Sequence, residues 1–250
     1  MTCGCLAYGR HGLTAEHRCC ICHDAMYTSE RNMALPPGAP GWTTLTPCRC
    51  AYRSPEKRLS GPDLTFFQER AGIPPAYRQA RFAHFDPIPD GAALVKAQQF
   101  SQSIGEKGGV SFLVLASRAR GNGKTMLACC ILCSLWERSE TAGRFYVVPE
   151  LLRRYRASFS TENAETAAQI DQELQTQPLV VLDDLGAEKE SEWTRDSLYA
   201  IVNYRYNHQL ATVITTNQKE AALDGRILSR LQDKRASLWV TLHGPDRRRK

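Results

Sequence analysis

A glycine-rich segment that follows an apolar run constrains the fold of this chain more than any other feature. The run GVSFLVLAS (109–117) is typical of a strand buried on both faces of a parallel sheet. It leads into RARGNGKT (118–125), and KTMLACCILCSLWER (124–138) then predicts a helix. A strand, a glycine-rich loop and a helix in this order are the setting of a phosphate-binding loop.

Each part of this loop has an expected role in holding a nucleotide. Gly121 and Gly123 let the backbone curl so that its N–H groups point at phosphate oxygens. The helix that follows offers its positive N-terminal end to the same phosphates. Lys124 is expected to reach the β- and γ-phosphates, and the Thr125 hydroxyl to bind Mg²⁺. The residues expected to contact the nucleotide are Arg120, Gly121, Asn122, Gly123, Lys124, Thr125 and Met126.

Arg118 departs from the usual loop, which opens with a glycine. That glycine starts a tight turn and has no chemical role. An arginine there costs about 1 kcal/mol if its backbone must be left-handed. The site is therefore either a working nucleotide site with an unusual first residue, or a degenerate site that binds nucleotide without hydrolysing it.

From residue 108 onward the pattern alternates between strands and helices. Further strands are predicted at RFYVVP (144–149), PLVVLDDLG (178–186), ATVITTN (211–217) and SLWVTLHG (237–244). Helices are predicted at 150–159, 166–175, 191–209 and 225–232. A further helix is predicted before this region, at 91–104. This alternation predicts an α/β fold, with a parallel sheet covered by helices on both faces.

Polar side chains lie at the carboxyl ends of two of these strands. Asp183 is expected to hold Mg²⁺ directly or through water, and Asp184 to act as the general base that orients the attacking water. Many such ATPases carry a glutamate at the second position, so the shorter Asp184 implies slow hydrolysis. Asn217 ends the next strand and can position the same water. Together with the loop, these residues predict a P-loop ATPase that uses ATP and Mg²⁺.

The cysteines divide into two groups. Seven of the ten lie in the first 50 residues, where Cys19-x-x-Cys22 and Cys48-x-Cys50 form two close pairs. Two such pairs separated by a loop are the usual layout of tetrahedral zinc, which would supply folding energy to a region with few aliphatic residues. The alternative ligands are Cys3, Cys5 and His23, whereas Cys20 lies too close to its neighbours. The second group, Cys129, Cys130 and Cys133, is expected to be helix core.

Charge and hydropathy bear on partners and location. No apolar run approaches the roughly 20 residues that a membrane helix needs, and the start of the chain lacks a signal-peptide pattern. We therefore expect a cytoplasmic protein with no membrane partner. The net charge is +6, and residues 226–250 hold eight Lys/Arg against two acids. Such a tail favours a polyanion by counterion release, unless it is only a solvated end.

Residues from about 70 to 250 resemble the AAA+ helicase loaders of the DnaC/DnaI type and the related IstB-type transposition helper ATPases. The resemblance is carried by AGIPPAYRQARFAHFDP, FYVVPELLRRYRASF, VVLDDLGAEKESEW, TVITTNQ, GRILSRL and LHGPDRR. It implies an AAA+ core without a separate lid domain. It also implies that a small N-terminal zinc module grips the replicative helicase.

The resemblance also implies roles for three arginines. Arg230 would be the finger that reaches the γ-phosphate in a neighbouring subunit, which implies self-association. Arg226, one turn earlier, is the second candidate for that role. Arg248 would be the sensor that contacts ATP bound to its own subunit.

The resulting organisation is a zinc- and partner-binding module at 1–58, a linker and helix at 59–107, and an AAA+ core at 108–250. The leading interpretation is a loader that places the replicative helicase on single-stranded DNA, with slow ATP hydrolysis stimulated by DNA or partner. The alternatives are an IstB-like transposition helper ATPase and a non-hydrolysing, ATP-gated adaptor.

Overall fold

The computed structural model describes residues 67–106, 108–139, 143–159 and 166–247, and the backbone of residues 27–31 and 43–47. The chain divides into two compact units, residues 1–60 and residues 61–250. In the first unit, strands β1 (Tyr27–Arg31) and β2 (Thr43–Pro47) pair antiparallel, a hairpin that the sequence analysis did not predict. The predicted module boundaries at 58 and 107 stay predictions.

Within its described residues, the second unit contains a helical segment at 67–70, five strands and six further α-helices. The strands are β3 (Phe112–Ala116), β4 (Gly143–Val147), β5 (Leu179–Leu185), β6 (Ala211–Thr216) and β7 (Ser237–Thr241). The helices are α1 (Gly91–Ser103), α2 (Lys124–Ser139), α3 (Val148–Ala157), α4 (Ala167–Thr176), α5 (Glu192–Asn207) and α6 (Gly225–Leu231).

The five strands form one parallel sheet in the order β4-β5-β6-β3-β7. The predicted α/β class and parallel sheet are thereby confirmed. Because all strands run the same way, their carboxyl ends meet at one edge. In this order the strand that feeds the glycine-rich loop, β3, lies beside β6, and β6 lies beside β5. The topology therefore brings the ends of the three motif-bearing strands together.

Successive side chains along each strand point to opposite faces of the sheet, and both faces are buried. Phe112 and Val114 face a cluster that includes helices α3, α4, α5 and α6. Leu113 and Leu115 point the other way and are fully buried as well. On that side α2 contacts β4, β5 and β6, and α1 packs on α2. Helices therefore cover the sheet on both faces, as predicted.

The three cysteines of α2 are part of this core. Cys129, Cys130 and Cys133 are unpaired thiols with at most 1% of their surface exposed. Burial raises the pKa of all three thiols, to about 12 for Cys130. They are therefore protonated, inert side chains at neutral pH, as the apolar setting predicted.

The residues that precede α1 pack on the core. Phe67 stacks on Trp136 of α2 with ring centroids 4.4 Å apart, and the Phe145 N–H donates to the Ala71 carbonyl over 2.7 Å. Gly72, at φ +76°, permits this approach, because a Cβ there would lie 2.8 Å from the Phe145 carbonyl oxygen. The segment expected to be a linker thus contributes to the compact unit from residue 67 onward.

Some predicted element ends were wrong for identifiable reasons. The strand predicted to reach residue 149 ends at Val147, because Pro149 occupies the first turn of α3, where a missing N–H costs nothing. The helix predicted from 191 begins at Glu192, because the Ser191 side chain caps it by accepting from the Thr194 N–H over 3.1 Å. Within the described residues, no helix is both long and apolar enough to cross a membrane.

Candidate nucleotide-binding site

The glycine-rich loop runs from Ser117 to Gly123, between β3 and α2. Gly121 and Gly123 have φ of +71° and +101°, which side-chain-bearing residues rarely adopt. A Cβ on Gly123 would lie 2.7 Å from the Phe85 ring, and one on Gly121 would overlap the Asp246 carboxylate. Both glycines are therefore required by backbone angle and by close packing.

Arg118 occupies the first position of the loop without backbone strain. Within the described residues, only Asp184 and Gln209 combine a side chain with a positive φ. The cost of about 1 kcal/mol considered for a left-handed arginine therefore does not arise. Arg118 is exposed and does not line the cleft described below.

The loop holds its own lysine by hydrogen bonds. Lys124 is only 6% exposed, and its Nζ donates to the Ala119 carbonyl over 3.1 Å and to Asn122 Oδ1 over 3.0 Å. Asn122 is fully buried, and its amide donates to Ser117 Oγ and to the Leu242 carbonyl. The asparagine therefore braces the loop from inside and fixes the direction of the lysine.

Asp183 lies opposite the loop and is 8% exposed. Its Oδ1 accepts a hydrogen bond from Thr215 Oγ1 over 2.7 Å, and the Thr125 hydroxyl also hydrogen-bonds this carboxylate. Burial raises the pKa of Asp183 above its ordinary 3.8, whereas these hydrogen bonds and the charge of Lys124 lower it. A buried carboxylate is destabilised unless a positive charge compensates it. Beside the Thr125 hydroxyl it offers the oxygen ligands that a hard divalent cation prefers.

A bulge in β5 separates the two carboxylates. Leu182 pairs with Ile214 and Leu185 with Thr216, so two residues of β5 face the single residue Thr215 of β6. Thr215 serves both, because its hydroxyl donates to Asp183 and accepts from the Asp184 N–H over 2.9 Å. Plain strand alternation would send these adjacent side chains to opposite faces of the sheet, whereas with the bulge both carboxylates line the same cleft.

Asp184 is held in a left-handed conformation with φ of +64°. Its Oδ1 accepts a hydrogen bond from Asn217 Nδ2 over 2.8 Å. The Asn217 Oδ1 atom is buried and lacks a hydrogen-bond partner among the described residues. An orphaned acceptor of this kind next to a carboxylate is a place for an ordered water.

These residues line one cleft of about 600 Å³ at the carboxyl edge of the sheet. Its walls are formed by Pro74, Tyr77, Arg120, Gly121, Asn122, Gly123, Lys124, Thr125, Met126, Asp183, Asp184, Leu185, Gly186, Ala187, Asn217, Gln218 and Arg247. The structure thus brings together every described residue that we expected to bind the nucleotide or Mg²⁺ or to act on the water. Sequence reasoning missed Pro74 and Tyr77, because the pairing of their segment with this edge is a tertiary contact.

The C-terminal segment closes one side of the cleft. The Arg247 N–H donates to the Gly121 carbonyl over 2.9 Å, and its guanidinium stacks 4.4 Å from the Phe85 ring centroid. The buried Asp90 accepts from the N–H groups of His243 and Gly244, and it also lies 3.7 Å from Arg247. Arg248, the expected sensor, lies outside the described residues.

Arg226 and Arg230 do not line this cleft. Both lie on α6 against α5, where Arg226 forms an ion pair with Asp196 over 2.9 Å and Arg230 donates to Asn203 over 2.8 Å. An arginine that serves the γ-phosphate from this surface has to act on another subunit's cleft. This geometry is compatible with the finger role that the resemblance implies.

The described residues fit a magnesium nucleotide. The loop offers backbone N–H groups and a lysine to phosphates, Thr125 and Asp183 offer oxygen ligands, and Asn217 has a spare acceptor. Among the described residues no group of three or more His, Cys, Asp or Glu side chains could hold a metal. The predicted zinc ligands Cys19, Cys22, Cys48 and Cys50 lie outside these residues, so zinc stays a prediction.

The core is similar in sequence to several known proteins. Residues 111–232 match the family described as IstB-like ATP binding protein. The replicative helicase loader DnaI of Bacillus subtilis is 30% identical over 139 residues, which cover 55% of this chain and 40% of DnaI. The loader DnaC of Escherichia coli K12 is 24% identical over 197 residues, which cover 77% of this chain and 78% of DnaC.

A solved structure agrees with these relatives. The crystal structure of the DnaC helicase loader superposes with a TM-score of 0.60 at 23% identity, and the match covers 68% of this chain and all of that one. The second unit therefore has a fold similar to that of the DnaC helicase loader. The resemblance to the DnaC/DnaI type of helicase loader is confirmed.

Proposed function

We propose, from the premise that this chain is a relative of the DnaC/DnaI-type helicase loaders, that it is an ATP-dependent loader of a replicative DNA helicase. It would bind ATP and Mg²⁺ in the cleft, hydrolyse ATP slowly, and help to transfer the helicase onto single-stranded DNA. One observation carries the proposal: Lys124, Thr125, Asp183, Asp184 and Asn217 converge on a single cleft at the ends of three adjacent parallel strands.

The loop residues bind and orient the triphosphate. The backbone N–H groups of the loop and the start of α2 attract the phosphate oxygens, and Lys124 adds a buried positive charge. Mg²⁺, when bound, offsets the negative charge of the phosphates. Thr125 and Asp183 would hold it, since both residues line the cleft and the threonine stabilises the ionised carboxylate.

Asp184 is the proposed base. Its carboxylate would accept a proton from the attacking water, and Asn217 fixes one of its two oxygens by a hydrogen bond. The free acceptor Oδ1 of Asn217 gives the same water a second partner. Arg230 would complete a neighbouring subunit's cleft, because it does not line its own.

Different observations support the two proposed partners, a replicative helicase and single-stranded DNA. The relatives DnaI and DnaC are named replicative helicase loaders, and this supports a helicase partner. The net charge of +6 supports a nucleic-acid partner, here single-stranded DNA. The aromatic residues of α5 give no such support, since Tyr199, Tyr204 and Tyr206 make contacts within the protein.

We further propose that residues 1–58 bind the helicase and hold zinc through Cys19, Cys22, Cys48 and Cys50. The two cysteine pairs support this part of the proposal. Measuring the zinc content of the purified protein, beside Cys22→Ser with Cys20→Ser as the matched control, tests it. One zinc per chain, lost only with Cys22→Ser, is the expected result.

The main test is steady-state ATPase activity with and without single-stranded DNA and replicative helicase. Lys124→Ala should abolish activity, and the exposed Lys96→Ala on α1 is the matched control. Stimulated hydrolysis that disappears only with Lys124→Ala supports the proposal. Equal activity of the two variants would rule out this cleft as the ATPase site.

Two alternative functions have specific support. The description IstB-like for residues 111–232 supports a transposition helper, and copurification with a transposase rather than a helicase would identify it. The short Asp184, held by Asn217, supports an ATP-gated adaptor that does not hydrolyse. In that case ATP binds with no turnover above the Lys124→Ala background.

A further inference from the structure

The ring of Tyr199 on α5 contacts the guanidinium groups of two arginines on α6. The ring centroid is 4.6 Å from the Arg226 guanidinium carbon and 4.7 Å from that of Arg230. Arg226 and Arg230 are one helical turn apart, so a single aromatic ring can contact both. Each contact is attractive, because a cation interacts favourably with the face of an aromatic ring.

The two arginines differ in whether carboxylates neutralise their charge. Arg226 pairs with the carboxylates of Asp196, over 2.9 Å, and Asp224, over 3.2 Å. Two negative charges therefore already compensate its positive charge. The Asp224 carboxylate also accepts from the Arg226 backbone N–H at the start of α6, which ties this ion pair to the helix cap.

Arg230 has only neutral acceptors. Its Nε donates to Asn203 Oδ1, its Nη1 to the Arg226 carbonyl and its Nη2 to the Tyr199 hydroxyl, each over 2.8 Å. Within the described residues Arg230 forms no ion pair. Its guanidinium is thus fixed in direction while its charge stays uncompensated, and each terminal nitrogen keeps a second N–H for an anion.

We propose that Tyr199 is a positioning residue that presents Arg230 to the phosphates of a nucleotide bound by a second copy of this chain, and that Arg226 is structural. The inference rests on the proposed function and names which arginine acts and what holds it. Tyr199 fixes the guanidinium twice, through the ring face beneath it and through the hydroxyl that accepts from Nη2.

The first measurement is kcat and KM for ATP in Tyr199→Ala, Tyr199→Phe and Tyr204→Ala. Misplacing a group that acts in the transition state costs on the order of 100-fold in kcat, so we expect that loss in Tyr199→Ala with KM nearly unchanged. Tyr199→Phe keeps the ring and loses the hydroxyl, and should fall in between. Tyr204→Ala is the matched control on the same helix, because Tyr204 stacks on His208 instead.

A mixing experiment separates positioning in a neighbour from damage to the residue's own cleft. Tyr199→Ala keeps an intact cleft, and Lys124→Ala keeps an intact Arg230. Mixing the two variants should therefore restore activity well above that of either alone. No recovery, with melting temperatures equal to the wild type's, would overturn the inference.

A third measurement decides the matter even if the protein does not turn over ATP. Sedimentation in the presence of a non-hydrolysable ATP analogue reports nucleotide-dependent self-association. Tyr199→Ala and Arg230→Ala should weaken that association to the same extent, and Arg226→Lys should leave it intact. A wild type that associates but does not hydrolyse sinks only the ATPase proposal. If Tyr199→Ala and Arg230→Ala leave the association unchanged, the proposal that Tyr199 positions Arg230 for a second copy is wrong. It is also wrong if the wild type shows no nucleotide-dependent association.

Discussion

Asn217 donates a hydrogen bond from Nδ2 to Asp184 Oδ1 over 2.8 Å, which joins the tips of two adjacent strands. The bond needs the bulge in β5 and the left-handed backbone of Asp184, at φ +64°. A backbone conformation that side-chain-bearing residues seldom adopt is costly, and the Asp184 N–H bond to Thr215 helps to maintain it. The arrangement fixes the direction of the Asp184 carboxylate, as the Thr215 hydroxyl does for Asp183.

Asp184→Asn should abolish hydrolysis and leave nucleotide binding intact. Asparagine tolerates the left-handed region and can still accept from Asn217, so the melting temperature should change little. It cannot accept a proton, so kcat should fall by about 100-fold or more. ATP affinity and turnover measured on the same sample check this prediction. Retained turnover would remove Asp184 from the role of base.

Asp183→Asn should stabilise the protein in the absence of Mg²⁺. Burial raises the pKa of Asp183, so its ionisation disfavours the folded state. We therefore expect the melting temperature to be higher than the wild type's near neutral pH, which thermal melts measure. The same variant should lose the stabilisation that Mg²⁺ and ATP give the wild type.

The pH dependence of this difference follows from the direction of the shift. A carboxyl with a raised folded-state pKa destabilises the fold above that pKa, and the destabilisation disappears below the unfolded-state value near 3.8. The difference in stability between Asp183→Asn and wild type should therefore shrink as the pH falls through the folded-state pKa. Thermal melts across that range measure it, and a difference that grows on acidification would contradict the assignment.

Arg118→Gly should leave ATPase activity within about two- to threefold of the wild type. Arg118 has no strained backbone to relieve, and it does not line the cleft. Glycine adds backbone freedom to the unfolded chain, so stability should fall by up to about 1 kcal/mol. Turnover and melting temperature are the measurements. A large gain in turnover would mean that the arginine does impair the loop.

Gly123→Ala should abolish ATP binding, whereas Gly225→Ala should be tolerated. A Cβ on Gly123 meets the Phe85 ring at 2.7 Å at a φ of +101°. A Cβ on Gly225 meets nothing within 4 Å, and its φ is not positive. Equilibrium binding of a fluorescent ATP analogue distinguishes the pair. Equal binding by both variants would show that the loop does not need its close approach to Phe85.

Arg247→Ala should weaken ATP binding more than Arg248→Ala does. The Arg247 guanidinium lines the cleft and stacks on Phe85, and its backbone N–H bonds to Gly121 of the loop. Losing a positive charge next to the phosphates should cost about 10-fold or more in Kd. The resemblance assigned this sensor role to Arg248, so the stronger effect in Arg248→Ala would restore the original assignment.

The sequence alone predicted the strands and helices of the core and the residue types of the candidate site. Apolar runs predicted the strands because a parallel strand buried on both faces needs apolar residues throughout. The glycines, Lys124 and the Asp183–Asp184 pair predicted a nucleotide site because few other residue types perform these tasks at this spacing. For the elements that were predicted, errors stayed at the ends, where Pro149 and Ser191 set the boundaries locally. The β1–β2 hairpin was not predicted.

Only the tertiary structure decided how these parts meet. Strand order brought Thr215 opposite the bulge, so that one hydroxyl serves both carboxylates. It also brought Tyr77 and Arg247 to the cleft and set Tyr199 against two arginines with different partners. Such contacts join residues far apart in the chain, and no local pattern encodes them. They depend on how the elements pack, which is fixed by the shape and burial of the whole core.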